Sequence, residues 1–278
     1  MRPSPVDRVR ARVRRSVGDA AARAIPDGFQ RLGPVVVVKL PEAMRPAFGS
    51  VGAAYRAEMG VRTVLRRRGP IRGDWRTPDV EVIAGAATET EVRENGLRYR
   101  FDAARVMFAE GNGAERLRAG TLTRPGETVA DLFAGIGYFT LPAAVLGGAS
   151  RVYACEANPL SYRYLEENLR INGVTDRVVA FLGDNRAAPI PPRSVDRIFL
   201  GLLPSSVPYV ARAIDLLAGD GGWVHAHRLA GSRGGVVESE TEVRSTVERA
   251  GGCVLELEGR EVKPYGPGRS HVVVDCRV

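Results

Sequence analysis

The second half of the chain alternates short apolar runs with longer segments of mixed polarity. The runs have the length and continuous hydrophobicity of strands that are buried on both faces of a parallel sheet. One mixed segment, residues 160–172, follows Asn158-Pro159 and stops at Gly173, as a capped helix would. This alternation predicts an α/β fold with a doubly wound, mostly parallel sheet. The predicted strands are residues 129–133, 151–154, 178–182, 196–200 and 222–229.

The first half shows shorter apolar runs and one long segment of helical composition. The predicted elements are a helix at 41–59, strands at 35–38, 63–65 and 80–83, and a hairpin at 88–102. Asn95-Gly96 in the hairpin is a pair typical of a tight β-turn. We expect three regions: a basic N-terminal helix over residues 1–26, a small α+β domain over 27–105 that ends in the hairpin as a linker, and a larger α/β domain over 106–278.

Glycine and a carboxylate follow the first two strands of the larger domain. Gly135 and Gly137 form a turn after the first strand, and Glu156 ends the second strand, 25 residues after Asp131. Glycine lets the backbone approach a ligand, and a carboxylate at about that spacing accepts hydrogen bonds from ribose hydroxyls. A Gly-x-Gly turn alone is equally typical of an ordinary strand-to-helix connection, and Glu156 alone could be a surface carboxylate. Together they favour a nucleoside site.

The third and fourth strands end in residues that extend the same edge. Asp184 and Asn185 follow the third strand, and Gly201 and Leu202 follow the fourth. Because the carboxyl ends of parallel strands meet at one edge, we expect all of these residues to face one crevice. Asp184 can accept a hydrogen bond from an adenine amino group. Asp131 lies inside an apolar run and needs donors, which the backbone of the glycine turn can supply.

Basic residues are concentrated at the N-terminal end of the chain. Residues 1–76 hold 17 Lys or Arg against 6 Asp or Glu, whereas the remainder holds 23 against 26. Such an excess attracts a polyanion, and RNA is the natural candidate. The arginines before residue 16 also fit a solvated helix face, since valines give that segment an apolar stripe. The loop that contains Arg72, Trp75 and Arg76 is a stronger RNA-contact candidate, because it places an aromatic ring beside several guanidiniums.

Other classes of protein are disfavoured by the composition. No apolar run reaches transmembrane length, and the arginine-rich start lacks the apolar region of a secretory signal, so we expect a cytoplasmic protein. The cysteines and histidines are scattered, which predicts neither a disulfide framework nor a metal site. They are Cys155, Cys253, Cys276, His225, His227 and His271. For His225 and His227 we expect a structural or RNA-facing role rather than a catalytic one.

Residues 129–210 resemble class I S-adenosylmethionine-dependent transferases in their four ordered strand ends. The resemblance implies a Rossmann-like, mostly parallel seven-stranded sheet, with S-adenosyl-L-methionine as group donor. A narrower resemblance spans nearly the whole chain, to the archaeal and eukaryotic family that modifies the guanosine beside the tRNA anticodon. The segments that carry it are FQRLGPVVVVKLP at 29–41, GDWRTP at 73–78, ENGLRYRFDAARVMFAEGN at 94–112 and VKPYGPGRSHVVVDCRV at 262–278.

That family has two main branches. One transfers a methyl group to guanine N1, and the other, in wybutosine synthesis, transfers a 3-amino-3-carboxypropyl group to a tricyclic guanine derivative of tRNA(Phe). Gly201 and Gly111-Asn112 resemble the second branch, because N-methyltransferases commonly place Asn or Asp where Gly201 stands. Ala109 departs from the branch, which usually has Ser there, and this removes a hydroxyl contact to the donor. The resemblance thus implies an aminocarboxypropyltransferase that acts on tRNA.

The resemblance also implies roles for single residues. Arg116 contacts the carboxylate side of the donor, Asn185 lies beside Asp184 at the adenine, and Arg76 lies near the substrate base. Glu115 matches a proposed proton acceptor of the methyl branch, although a Glu-Arg pair is more often structural. The predicted donor site comprises Arg116, Asp131, Phe133, Gly135, Gly137, Glu156, Asp184, Asn185, Gly201 and Leu202, with Phe133, Leu202 and Leu203 as an apolar wall and no metal.

Three alternatives remain open from the sequence. A methyltransferase on the same nucleoside would release S-adenosylhomocysteine and transfer the methyl group. A non-catalytic RNA-binding protein would not bind the donor, and Ala109 is its one supporting feature. A small-molecule methyltransferase would leave the basic N-terminal region without a role.

Overall fold

The computed structural model describes residues 3–73 and 75–278, and the chain divides into two compact units, residues 1–110 and 111–278. The sequence predicts this division at residue 105. The elements of the first unit are α1 (Pro5–Val17), α2 (Asp19–Arg23), β1 (Phe29–Leu32), β2 (Val35–Val38), a 3₁₀ helix (Glu42–Ala47), α3 (Phe48–Met59), β3 (Thr63–Arg67), β4 (Val80–Ala84), β5 (Glu89–Glu94) and β6 (Leu97–Asp102).

The first unit is built on a four-stranded sheet in the order β1-β2-β3-β4. β2 and β3 run parallel, and the outer pairs are antiparallel. All four valines of β2 are buried, as the apolar run predicts. The separate strand β1, which the sequence did not resolve from β2, pairs with it around Gly33.

The basic N-terminal segment belongs to the core of this unit. Ser4 and Asp7 form a capping box that starts α1, and a break at Gly18 separates α1 from α2, where the sequence predicts one helix. Val9 and Val13 of α1 are buried in the same hydrophobic cluster as Tyr55 of α3. The arginines lie on the opposite face of an amphipathic helix, and the described part of this segment, residues 3–26, packs within the first unit.

The hairpin β5–β6 pairs antiparallel around Asn95-Gly96, as predicted. Its strand β5 is tied to β1, because the Thr90 hydroxyl donates to the Leu32 carbonyl at 2.6 Å. Tyr99 and Phe101 of β6 are fully buried. Within the described residues, the hairpin is therefore an integral part of the first unit.

The second unit contains the α/β arrangement that the pattern predicts. Its elements are α4 (Gly113–Leu122), β7 (Thr128–Asp131), a π-helical turn (Pro142–Leu146), β8 (Arg151–Glu156), α5 (Pro159–Ile171), β9 (Val178–Leu182), a 3₁₀ turn (Asn185–Ala187), β10 (Arg197–Leu200), a 3₁₀ turn (Val207–Tyr209), α6 (Val210–Leu216), β11 (Trp223–Gly231), α7 (Gly235–Arg249), β12 (Glu256–Gly266) and β13 (Arg269–Arg277). A further 3₁₀ turn, Glu110–Asn112, lies at the boundary.

The sheet has seven strands in the order β12-β13-β11-β10-β7-β8-β9. The pairs from β11 to β9 are parallel, and β13 runs antiparallel to both of its neighbours. The strand order reverses between β7 and β10, and in such sheets ligands bind outside the carboxyl ends of the strands at this switch point. The predicted Rossmann-like fold and the small N-terminal α+β unit are confirmed.

Candidate functional site

The turn after β7 is organised by Asp131. This carboxylate is fully buried and accepts hydrogen bonds from the Thr140 backbone N–H at 2.9 Å and the Thr140 hydroxyl at 2.8 Å. The Phe133 N–H lies at 3.4 Å from its other oxygen. Burial raises the pKa of Asp131 to about 6. Asp131 therefore accepts hydrogen bonds from backbone N–H groups of this turn, as the sequence predicts for a carboxylate beside exposed N–H groups.

Both glycines of this turn disfavour a side chain, and Gly135 has the closer contact. Its φ is +58°, and a Cβ built there would lie 2.5 Å from the Tyr138 ring. The N–H of Gly135 donates to the Glu156 carboxylate at 2.7 Å, which links the turn to the end of β8. The short segment that follows contains Pro142, ends before Gly147 and forms a π-helical turn.

Glu156 presents a preorganised carboxylate at the end of β8. One oxygen accepts from Gly135, and the other accepts from the Asn158 N–H at 2.7 Å. Burial raises the pKa of this partly buried group. Each carboxylate oxygen can accept a second hydrogen bond, so Glu156 retains capacity for two hydroxyl donors. This geometry matches the predicted ribose contact.

Asp184 and Asn185 differ in their surroundings. Asp184 is exposed and accepts from the Arg186 guanidinium, whose hydrogen bonds lower the pKa of Asp184 to about 2. Asn185 is buried and donates from Nδ2 to the Leu132 carbonyl at 3.2 Å, which joins the β9 loop to the end of β7. Its Oδ1 has no hydrogen-bond partner among the described residues. An orphaned buried acceptor at this edge suits a ligand that donates a hydrogen bond.

The end of β10 is lined by an aromatic side chain. A Cβ at Gly201 would lie 2.7 Å from Cε2 of Phe139, whose ring also stacks on Phe199 and His227. Leu202 follows Gly201 and is partly buried. Phe133, on the other side of the switch point, packs edge-on against Tyr209 with 4.7 Å between ring centroids.

Glu115 and Arg116 lie side by side in the first turns of α4, and both are buried. Glu115 forms ion pairs with Arg260 and, at 3.5 Å, with Arg118. Arg116 lies over the Tyr138 ring, 5.9 Å from its centroid, and so reaches the glycine turn. The structure thus brings Arg116 towards the predicted donor site and gives Glu115 two cationic partners.

A buried network of polar side chains, centred on the histidines of β11, was not predicted from the sequence. Asp275 on β13 contacts His225 at 2.5 Å and pairs with Arg118. His225 in turn contacts Arg197 at 2.8 Å. A second pair, His227 and His271, shares a hydrogen bond of 2.9 Å.

Burial sets the protonation of this network. Desolvation lowers the pKa of His225, and it lowers the pKa values of His227 and His271 to about 3, so these rings are neutral at pH 7. The pKa of Asp275 is lowered by its bonds to His225 and Arg118, against the effect of burial. His225 and His227 are structural, and the RNA-facing alternative is wrong because both rings are buried. The alternate positions of these two histidines in the apolar run of β11 were the sequence feature that could have indicated their burial.

The predicted RNA contacts lie in the loop between β3 and β4 of the first unit. Arg72 and Thr77 exchange two backbone hydrogen bonds, at 2.9 and 3.0 Å, and these close a short loop. Arg72 pairs with the buried carboxylate of Asp79, and Arg76 adopts a positive φ of 52°. Trp75 is 61% exposed at the tip of this loop. A tight loop with an exposed indole and guanidiniums is suited to stacking on an unpaired base.

Metal-binding clusters and membrane-spanning helices are both absent from the part of the chain that the structure describes. Residues 3–73 and 75–278 contain no cluster of three His, Cys, Asp or Glu side chains with the geometry of a metal site. No helix within those same ranges is both long enough and apolar enough to cross a membrane.

Comparison with known families gives the family of the chain. Residues 90–251 match the model of the TRM5/TYW2 methyltransferase domain, and residues 9–88 match the model of the TYW2 N-terminal domain. The chain belongs to the TRM5/TYW2 family. Models that carry the TYW2 name thus match most of each compact unit.

Two curated relatives represent the two branches of the TRM5/TYW2 family. The tRNA(Phe) (4-demethylwyosine(37)-C(7)) aminocarboxypropyltransferase of Pyrococcus horikoshii is 34% identical over 271 residues, which cover 98% of this chain and 96% of the relative. The tRNA (guanine(37)-N(1))-methyltransferase Trm5b of Pyrococcus abyssi is 32% identical over 259 residues, which cover 92% of this chain and 76% of the relative.

Two solved structures have a similar fold over most of this chain. P. horikoshii TYW2 in complex with MeSAdo superposes with a TM-score of 0.84 at 30% identity, covering 98% of each chain. M. jannaschii TYW2 in complex with AdoMet gives a TM-score of 0.74 at 28% identity, covering 90% of this chain and 98% of the other.

Proposed function

We propose that this protein transfers the 3-amino-3-carboxypropyl group of S-adenosyl-L-methionine to C7 of the 4-demethylwyosine base at position 37 of tRNA(Phe). The observation that carries the proposal is the likeness of both units, at 34% identity over almost the full length of both chains, to an aminocarboxypropyltransferase of that substrate. The relative solved with MeSAdo, which is methylthioadenosine, supports the same reaction, since methylthioadenosine is what remains of the donor after this transfer.

The residues at the strand ends fit the donor. Glu156 has spare acceptor capacity for the two ribose hydroxyls, and the orphaned Oδ1 of Asn185 suits the adenine amino group. Asp184 offers a second acceptor at the same strand end. We propose that Asp131 acts indirectly by holding the turn that contains Gly135 and Gly137, because its oxygens are already bonded to Thr140 and Phe133.

The donor supplies a sulfonium with three carbons open to attack. Transfer forms a bond from base C7 to the arm's Cγ and breaks the S–Cγ bond, whose electron pair neutralises the sulfur while C7 loses a proton. Because only the carbon in line with the nucleophile reacts, the protein selects the product by orienting the arm. The positive charge disappears as the carbon moves, so a half-buried apolar wall at Phe133, Leu202 and Leu203 suits this step.

Arg116 and Glu115 take different parts in this proposal. Arg116 reaches Tyr138 of the glycine turn and supplies a cation near the donor's carboxylate side. Glu115 is already paired with Arg260 and Arg118, and these contacts support a structural role rather than proton acceptance.

The proposed partner is tRNA, held in part by the first unit. The basic excess of residues 1–76 and the exposed Trp75 support this assignment, with Arg72 and Arg76 as further contacts. Trp75 would stack on an unpaired base of the anticodon region, and the guanidiniums would neutralise phosphates.

The test is analysis of the by-product. With tRNA(Phe) that carries 4-demethylwyosine, the purified protein should convert the donor to methylthioadenosine in a tRNA-dependent reaction. Release of S-adenosylhomocysteine would favour the methyltransferase alternative, which the 32% identity to Trm5b supports. Absence of donor binding in calorimetry would favour a non-catalytic RNA-binding protein.

A further inference from the structure

Phe139 occupies the strand switch point of the sheet. It follows the glycine turn of β7, and its ring reaches the end of β10, the strand paired with β7 on the side where the order reverses. The residue is partly buried and lies at the edge of the sheet where ligands bind in such folds.

The ring is held on its buried side by two neighbours. Its centroid lies 5.3 Å from that of Phe199 and 5.2 Å from that of His227, with interplanar angles of 28° and 22°. His227 is itself fixed by the 2.9 Å hydrogen bond to His271. These contacts leave Phe139 little freedom to rotate, as expected of a close-packed aromatic cluster.

The ring also fills the space next to Gly201. A Cβ at that position would lie 2.7 Å from Phe139 Cε2, which is closer than real Cβ contacts allow. The end of β10 therefore carries no side chain at this position, and the edge of the Phe139 ring occupies the adjacent space. A rigid aromatic wall limits the orientations of a flexible arm.

We infer that Phe139 is a specificity-determining residue of the transfer: its clamped ring forms the wall against which the donor's methionine arm lies, and this wall selects the carbon that faces the base. The inference builds on the proposed function. Phe199 and His227 act as positioning residues for the ring, while Gly201 provides the room for it.

The experiment compares Phe139→Ala with the wild type and with Phe29→Leu, which removes a partly buried aromatic contact in the first unit. Both by-products, methylthioadenosine and S-adenosylhomocysteine, are quantified with tRNA present, and donor affinity is measured by calorimetry. We expect Phe139→Ala to lower kcat for methylthioadenosine at least about tenfold and to raise the S-adenosylhomocysteine fraction. Donor Kd should change by less than about threefold, because the adenosine contacts remain. Phe29→Leu should stay within about twofold of the wild type.

If Phe139→Ala does not fold, Phe139→Leu, which conserves most of the volume, takes its place with the same expected direction. Folded variants at Phe139 that keep kcat within about twofold and the wild-type product ratio would overturn the inference alone. A wild-type protein that forms no methylthioadenosine would instead contradict the proposed function, and this inference with it.

Discussion

The two sides of the strand switch point differ in their side chains: one carries carboxylates, and the other carries stacked rings and buried histidines. On the β7-β8-β9 side, the carboxylates Asp131 and Glu156 are held by backbone N–H groups, and burial raises the pKa of each. On the β10-β11-β13 side, stacked rings and a buried network surround His227 and His271, whose pKa values burial lowers to about 3. The first side carries hydrogen-bond acceptors, whereas on the second side Asp275 is paired with Arg118 and His225, and the ring of Phe139 stacks on Phe199 and His227. We propose that the first side holds the donor and that the second governs its reaction.

The largest expected effect lies in the buried network. Asp275→Asn removes the buried carboxylate that pairs with Arg118 and His225 and leaves the half-buried Arg118 guanidinium paired with Glu115, so we expect a loss of about 3 kcal/mol in the free energy of unfolding. Urea unfolding measures this loss of unfolding free energy. The matched control is Glu256→Gln, which removes an exposed pair with Arg277 and should cost less than about 1 kcal/mol. Equal losses in the two variants would contradict the difference between the buried and the exposed pair.

Donor binding is expected to depend on the other side of the sheet. Glu156→Gln removes a charged acceptor and should weaken binding of S-adenosylmethionine by about 10- to 100-fold in calorimetry, since hydrogen bonds to charged groups contribute about 1.5 to 3 kcal/mol. Glu248→Gln, on the exposed face of α7, is the control and should leave the affinity unchanged. A Glu156→Gln protein with wild-type affinity would remove Glu156 from the donor site.

A pair of glycine variants separates backbone strain from steric exclusion. Gly135→Ala and Gly173→Ala both place a side chain at positive φ, +58° and +69°, which costs about 1 kcal/mol or more. A Cβ at Gly135 meets the Tyr138 ring at 2.5 Å, whereas at Gly173 it meets nothing within 4 Å. We therefore expect a larger fall in Tm and a loss of donor affinity only for Gly135→Ala. Matching behaviour of the two variants would show that the turn tolerates a side chain.

The last prediction concerns the pH dependence of stability. The folded pKa of His271, about 3, lies below the ordinary value of 6.5, so the unfolded state binds more protons between those pH values. Its contribution to stability is complete above pH 6.5 and is lost as the pH falls towards 3. His271→Gln should reduce the slope of unfolding free energy against pH, between pH 6 and 4, by about 1.4 kcal/mol per pH unit. An unchanged slope would mean that His271 is not held neutral by burial.

The sequence predicted the fold and the strand edge that the polar residues share, because both depend on local patterns. Apolar runs locate the strands, and the spacing from Asp131 to Glu156 places both at one edge. The β13 partners of His225 and His227 could not be predicted, since Asp275 and His271 reach them only through the antiparallel pairing of β11 with β13. The contact of Phe139 with Gly201 likewise depends on tertiary packing. Which side-chain clusters contact one another can therefore be determined only from the three-dimensional structure.

The central claim is that this site directs the arm's Cγ, and not the methyl carbon, to the base. The most direct measurement supplies S-adenosylmethionine with distinguishable labels in its carboxyl and methyl groups and counts both labels in purified tRNA(Phe) that carries 4-demethylwyosine. We predict that the carboxyl label enters the tRNA in proportion to methylthioadenosine released, with no methyl label incorporated. Methyl label in the tRNA without carboxyl label would contradict the account.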